Sequence, residues 1–203
     1  MPHAPEKFIE RSVDSLQKIY AVIVALAIGQ AIQTISGNPS EILSHLPGFL
    51  AFVAIVVPFY HGMNRHLDKC YIERTENVVQ GALLFDFIVF FSLASLLFVF
   101  STSIKTGLQS FVILGGLLVV DSVWALVSHW IHYRGFVPSI LRWSVINSII
   151  LVAALFIYVL QVYDDGTKCW LLLVLAIIRT ICDYKFCWNF YFPQQQSAAP
   201  TIA

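Results

Sequence analysis

The sequence predicts an all-α polytopic membrane protein, a bundle of six transmembrane helices with both termini in the cytoplasm. Of its 203 residues, 58% are hydrophobic and only 12% are charged, whereas a soluble domain carries about 25% charged residues. The apolar residues form six runs that short polar segments separate. Lysine and arginine are concentrated in every second polar segment, which is typical of membrane proteins.

Each apolar run approaches the length of about 20 residues that crosses a bilayer core. Backbone polar groups in lipid must form hydrogen bonds within the protein, which only helices and closed β-barrels achieve. Helices are expected here, because the alternation of apolar and polar residues that is typical of barrel strands is absent. Pro138 stands where it favours a first helical turn. The second run is the shortest, and the predicted helices cover residues 19–35, 46–60, 79–100, 111–131, 139–163 and 169–184.

The segments outside these runs complete the predicted domain organisation. Residues 1–18 mix acidic and basic side chains, and no small-x-small cleavage site follows the first apolar run after Thr34. We therefore interpret them as a cytoplasmic arm before a retained helix rather than as a signal peptide. Residues 19–192 form the transmembrane domain. Residues 193–203 are rich in glutamine and alanine, which predicts a disordered tail.

The distribution of lysine and arginine predicts the orientation. Two of these residues, Lys105 and Lys168, fall in the segments on one side. Nine fall on the side that carries both termini, which we therefore assign to the cytoplasm: Lys7, Arg11, Lys18, Arg65, Lys69, Arg74, Arg134, Arg142 and Lys185.

Six strongly polar residues lie within or at the edges of the predicted spans and are candidate ion- or ligand-binding residues. A charge at the centre of a span costs roughly 2.5–3.5 kcal/mol on insertion scales, so such residues are retained for pairing or for function. With the predicted orientation Asp121 lies near mid-depth and the other five lie in the cytoplasmic half. The six residues are Asp86, Asp121, His132, Asn147, Arg179 and Asp183.

Helical spacing predicts how these residues meet. Asp121 and His132 fall on one stripe with Ala125 and Ser128, and Arg179 and Asp183 are spaced to pair on one helix face. One interpretation is that Arg179 and Asp183 form an ion pair whose role is only structural. Three carboxylates nevertheless face one permanent cation, so water, a proton on an aspartate, a protonated histidine or a bound cation is needed as well. We expect a polar cavity, open to the cytoplasm and lined by helices two to six.

Other functional classes have less support. A metal site is an alternative hypothesis for the histidines, but no recognised metal motif is present, and we expect no cofactor. We also expect no catalytic residue, because no catalytic motif occurs. A net charge of zero and the absence of a basic block exclude nucleic acid as a predicted partner. The alternative metal ligands are His61, His66, His129 and His132.

The order of features resembles the bacterial six-helix members of the lysosomal potassium channel family. The resemblance covers roughly the first 100 residues: Arg11 before an apolar first helix, the Phe59-Tyr60-His61 ending of the second, and Asp86 where the family's third helix has asparagine. The family's Phe-Ser-Asp motif is replaced here by residues 15–17, Ser-Leu-Gln, so its pore residues are not transferred. The resemblance implies an oligomeric bundle in a bacterial inner membrane, with first helices lining a central path.

The sequence therefore predicts a homo-oligomeric cation channel or channel-like transporter, surrounded by lipid. Asp86 and Asp121 would respond to cations or protons, and His129 and His132 to cytoplasmic pH. If helix one lines a pore, its face would be Ile23, Ala27, Gln30 and Thr34. One alternative is a membrane sensor or scaffold that binds a small molecule or a cytoplasmic protein. A third is an enzyme acting on a lipid or isoprenoid.

Overall fold

The structure is a computed structural model, and it describes residues 4–37, 42–73, 80–132, 138–160 and 164–193. Within these ranges the chain is helical and contains no strand. The helices are α1 (Ala4–Ser36), α2 (Ile42–Leu67), α3 (Gln80–Ser103), α4 (Gly107–His132), α5 (Pro138–Leu160), α6 (Asp165–Phe186) and the single turn α7 (Trp188–Tyr191). A π-helical turn, Asp68–Ile72, continues α2.

Each predicted helix is present, with two marked differences in length. Helix α1 begins at Ala4, so most of the predicted N-terminal arm is helical and continuous with the first span. Helix α2 has 26 residues although it contains Pro47 and Pro58. Helix α5 begins at Pro138, as predicted. The predicted tail at 193–203 lies outside the described residues except for Pro193.

Five helices, α1 to α5, are long and apolar enough to cross a membrane. Their outward faces carry large apolar side chains that water would not tolerate in such number, including Val22, Ile88, Val123, Ile149 and Val152. The protein is therefore an integral membrane helical bundle. Helix α6 is not among the five, because it carries Asp165, Lys168, Arg179, Asp183 and Lys185 along its 22 residues.

Helix α2 remains continuous past Pro58 because α6 replaces a lost hydrogen bond. Proline has no amide hydrogen, so Pro58 cannot donate to the carbonyl of Ala54, four residues earlier. The Thr180 hydroxyl on α6 donates to that carbonyl over 2.7 Å. A threonine on a neighbouring helix thus satisfies a backbone group that lipid would leave unpaired.

Helix α6 packs against α2, α4 and α5. Helix α4 packs against α3 and α5, and α1 packs against α2 and α3. Gly48 lets α2 approach the end of α3, because a Cβ there would collide with the backbone carbonyl of Ile104. On α1, Ala27 is fully buried and the Gln30 side chain donates to the Thr34 hydroxyl, so the predicted pore face partly packs into the core.

Candidate functional site

The structure buries the six polar residues that the sequence singled out, but it separates them into two clusters. Their relative exposures range from 0% for Asp86 to 3% for His132. The structure therefore does not gather these six residues around one site, and the cavity open to the cytoplasm stays a prediction. Asp86 and Asp121 lie on different helices, and each has its own set of partners.

The first group, here the arginine cluster, consists of Asp121, Asn147, Arg179, Asp183 and Tyr191. The Arg179 Nε donates to Asn147 Oδ1 over 3.2 Å, and Asn147 Nδ2 donates to Asp121 Oδ2 over 2.6 Å. The guanidinium also lies 3.5 Å from Asp121 Oδ2 and 3.5 Å from Asp183 Oδ2. The predicted pairing of Arg179 with Asp183 is present, and Asp121 completes it.

Two further groups close the arginine cluster. The Arg179 guanidinium carbon lies 4.5 Å from the centre of the Phe59 ring, a cation–π contact that partly compensates its removal from water. The Tyr191 hydroxyl donates to Asp183 Oδ2 over 2.9 Å. The cluster therefore sets two carboxylates against one guanidinium in the bundle interior, and an ionised cluster has one negative charge in excess.

The second group, here the aspartate–histidine cluster, consists of His66, Tyr71, Asp86, Trp124 and His132. Asp86 Oδ2 lies 3.0 Å from His66 Nε2, 3.3 Å from His132 Nε2 and 2.7 Å from the Tyr71 hydroxyl. The Tyr71 hydroxyl is also 3.4 Å from His132 Nε2. The Trp124 indole donates to Asp86 Oδ1 over 2.9 Å. All of these groups meet at one buried carboxylate.

Sequence reasoning missed Tyr71 because the end of α2 changes its helical period. In an α-helix Tyr71 would lie roughly 140° around the axis from His66, five residues earlier. The π-helical turn Asp68–Ile72 alters this phase and brings Tyr71 beside the same carboxylate. Such π-turns are frequent at functional sites. Trp124, one turn after Asp121, also carried no signal that distinguished it from an apolar core residue.

Of the four histidines considered as metal ligands, only His66 and His132 come together. His61 lies apart from them, with its Nδ1 3.2 Å from the Tyr184 hydroxyl and its ring 4.8 Å from that of Tyr191. His129 is outside the cluster. The predicted stripe on α4 is present, since Asp121, Ala125, Ser128 and His132 are all buried.

Several buried polar atoms have no hydrogen-bond partner among the described residues. Such atoms are rare in native proteins and mark sites that commonly hold water, an ion or a ligand. They lie on α1, α4, α5 and α6, and include the Tyr20 hydroxyl, Ser128 Oγ, Trp143 Nε1 and Arg179 Nη1.

A separate pocket of about 460 Å³ lies where α5, α6 and α7 meet the π-turn. Lys69, Arg142 and Lys185 line it together with residues 186–190. The structure buries half of the aromatic run that follows α6. Phe190 and Tyr191 are 4% and 3% exposed, whereas Trp188 and Phe192 are exposed.

Comparisons of the chain with protein-family models, curated proteins and solved structures found no match.

Proposed function

We propose that the protein is a channel-like transporter for a cation, with the arginine cluster as the place where a proton or a cation binds. The best support is the charge balance of this cluster, in which two buried carboxylates, those of Asp121 and Asp183, face the single guanidinium of Arg179. Such an excess of negative charge is costly in a bundle interior unless a proton or a cation neutralises it. Asp86, which was expected to share this role, belongs to the other cluster.

The proposal includes a six-span topology with both termini in the cytoplasm. Helix α6 contributes to this because its outward face is apolar, with Trp170, Val174 and Ile181 half exposed or more, while Arg179 and Asp183 point into the bundle. Its 22 residues correspond to about 33 Å of helix, enough for a bilayer core. The bias of basic residues supports the orientation.

Ion flux into liposomes tests the transport proposal. Purified wild-type protein should carry protons, Na⁺ or K⁺ across the bilayer, and Asp121→Asn should lower that flux at least tenfold. Asp14→Asn is the matched control, since Asp14 lies on the exposed surface and pairs only with Lys18 among the described residues, over 2.6 Å. The absence of flux of all three ions from folded wild-type protein would remove the proposal.

Assembly into a homo-oligomer is also part of this proposal. Native mass spectrometry of the protein in detergent should give a multimer of the 22.9 kDa chain. A strictly monomeric protein that still conducts ions would confine the path to one bundle.

A second candidate function is a membrane sensor that binds an anionic group from the cytoplasm. The pocket lined by Lys69, Arg142 and Lys185 favours it, because clusters of cations beside the membrane surface bind lipid headgroups and phosphates. Anionic lipid or inorganic phosphate should raise the melting temperature, and Lys185→Gln should reduce the increase. Lys105→Gln, on the opposite side in the proposed topology, should not. An unchanged melting temperature with both ligands would exclude this function.

A further inference from the structure

We propose that the aspartate–histidine cluster is a binding site for a divalent first-row transition metal, with His66, Asp86 and His132 as ligands and Tyr71 as a fourth. This site is distinct from the arginine cluster, and the inference does not rest on transport. It assigns a metal to residues whose sequence spacing matches no metal motif.

The positions of the donor atoms are the first reason. His66 Nε2, Asp86 Oδ2 and His132 Nε2 all lie within 4.8 Å of one another. In a tetrahedral site with metal–ligand bonds near 2.0–2.1 Å, neighbouring ligand atoms are roughly 3.3 Å apart. Two of the distances, 3.3 Å between Asp86 Oδ2 and His132 Nε2 and 3.4 Å between the Tyr71 hydroxyl and His132 Nε2, match this spacing. The 3.0 Å to His66 Nε2 and the 2.7 Å to the Tyr71 hydroxyl are shorter, so a bound cation would move these two groups away from Asp86 Oδ2 by a few tenths of an ångström.

The crowding at one oxygen is the second reason. Three polar groups, from His66, Tyr71 and His132, approach Asp86 Oδ2, whereas a carboxylate oxygen has two lone pairs. Hydrogen bonds alone would therefore require three donors to share them. A cation that replaces these protons would draw one lone pair from each ligand instead.

The surroundings of the ligands resemble the outer shell of a metal site. The Trp124 indole fixes the second Asp86 oxygen over 2.9 Å, and Cys70 Sγ lies 3.7 Å from His66 Nδ1. Contacts of this kind hold the ligand in one orientation and leave Nε2 directed at the metal. The ligands come from three separate parts of the fold: α2 with its π-turn, α3 and α4.

The donor set identifies the class of metal. Two imidazoles with one carboxylate are typical of zinc and of non-haem Fe²⁺, and imidazole is a poor ligand for Mg²⁺ or Ca²⁺. All three ligands are at least 97% buried, so the metal would be held inside the bundle. We infer a tightly held ion rather than one in free exchange with the solvent.

Metal analysis of the full-length protein tests the inference. Protein purified in detergent, stripped with a chelator and reloaded with Zn²⁺ or Co²⁺ should bind one ion per chain by mass spectrometry. Asp86→Asn and His132→Gln should each lower the bound metal at least tenfold. His129→Gln is the matched control, because His129 is on the same helix but outside the cluster, and it should bind like the wild type.

The Co²⁺ form gives a readout that does not depend on the variants. Wild-type protein loaded with Co²⁺ should develop the visible absorption of a tetrahedral site with nitrogen and oxygen ligands, and Zn²⁺ should displace it. Failure of folded wild-type protein to bind Zn²⁺, Co²⁺, Fe²⁺ or Mn²⁺ would overturn the inference. Equal binding by the wild type and by folded Asp86→Asn or His132→Gln would also overturn it.

Discussion

At the scale of single residues, the free-energy cost of burying a charge determines which partners surround Arg179. Arg179 is fully buried, and its guanidinium finds an amide, two carboxylates and an aromatic ring within reach. Removing one partner of a buried ion pair is far more costly than removing one at the surface, because the remaining charge stays buried without compensation.

The contrast with a surface pair gives a direct prediction. Arg179→Gln should lower the free energy of unfolding by about 3–5 kcal/mol, since it leaves Asp121 and Asp183 without their cation. Lys18→Gln, which breaks the exposed pair with Asp14, should cost less than about 1 kcal/mol. Unfolding in mixed detergent micelles measures both. Similar losses for the two variants would mean that the cluster is not held together by charge.

An ion pair beside the π-turn predicts a dependence of stability on pH. Arg65 donates to both oxygens of Glu73, one of them over 3.0 Å, and these hydrogen bonds hold the pKa of Glu73 below its ordinary value of 4.5. A carboxylate whose pKa is lowered by folding stabilises the protein above its unfolded pKa and loses this contribution as the pH falls.

Wild-type protein should accordingly melt slightly higher than Glu73→Gln from pH 8 to pH 5, and the difference should shrink as the pH falls below 4.5 through the lowered pKa of Glu73. The effect is small because the Glu73 side chain is 51% exposed. Melting curves of both proteins across this range provide the measurement. A difference that grows as the pH falls would contradict the assigned pairing.

At the scale of elements, α6 supplies α2 with a hydrogen bond that a proline in α2 removes. Two prolines interrupt the hydrogen bonds of α2, yet the helix continues, and Thr180 supplies a donor to the carbonyl that Pro58 leaves open. The same interface brings Phe59 over Arg179. Pro58 therefore does not end the helix, and the carbonyl of Ala54 that it leaves without a donor ties α2 to α6.

Thr180→Val tests this interface without a change in shape. Valine keeps the volume of threonine but removes the hydroxyl, so we expect a loss of about 0.6–1.7 kcal/mol of unfolding free energy, the range of hydrogen bonds between membrane helices. Thr102→Val is the control, because the Thr102 hydroxyl donates within its own helix to Val99 and is exposed. A loss no greater for Thr180→Val than for this control would contradict the role of Thr180.

At the scale of the whole molecule, apolar residues cover the outside and polar clusters occupy the inside. Five helices satisfy the length and composition of membrane spans, and α6 fails that criterion because of its charged residues, two of which the other helices bury. A highly charged helix can cross lipid only when its charges face protein, which is how α6 is arranged at Arg179 and Asp183.

Reporter fusions test the resulting topology. If α6 crosses the membrane, reporters at the two termini should lie on the same, cytoplasmic side, and one in the segment between α5 and α6 should lie on the other. Cleavage of both terminal tags by protease added to inside-out vesicles, but not to right-side-out vesicles, is the expected result. Termini on opposite sides would mean that five helices cross the membrane.

The sequence by itself determined the features that depend on local period and composition. It predicted a helical membrane bundle, the positions of its helices, and the burial of Asp121, Ser128 and His132 along one face of α4. These features can be predicted because hydropathy and helical phase depend only on residues that are close together in the sequence.

Only the tertiary structure decided which of these polar residues meet. Asp86 pairs across 20 and 46 residues of sequence with His66 and His132, whereas Asp121 joins Arg179, 58 residues away. Such pairings depend on helix rotation and packing. Tyr71 enters the cluster because a π-turn shifts its phase, and Thr180 matters because α6 lies against Pro58. The residue periodicity within a single helix does not indicate which residues of different helices come into contact.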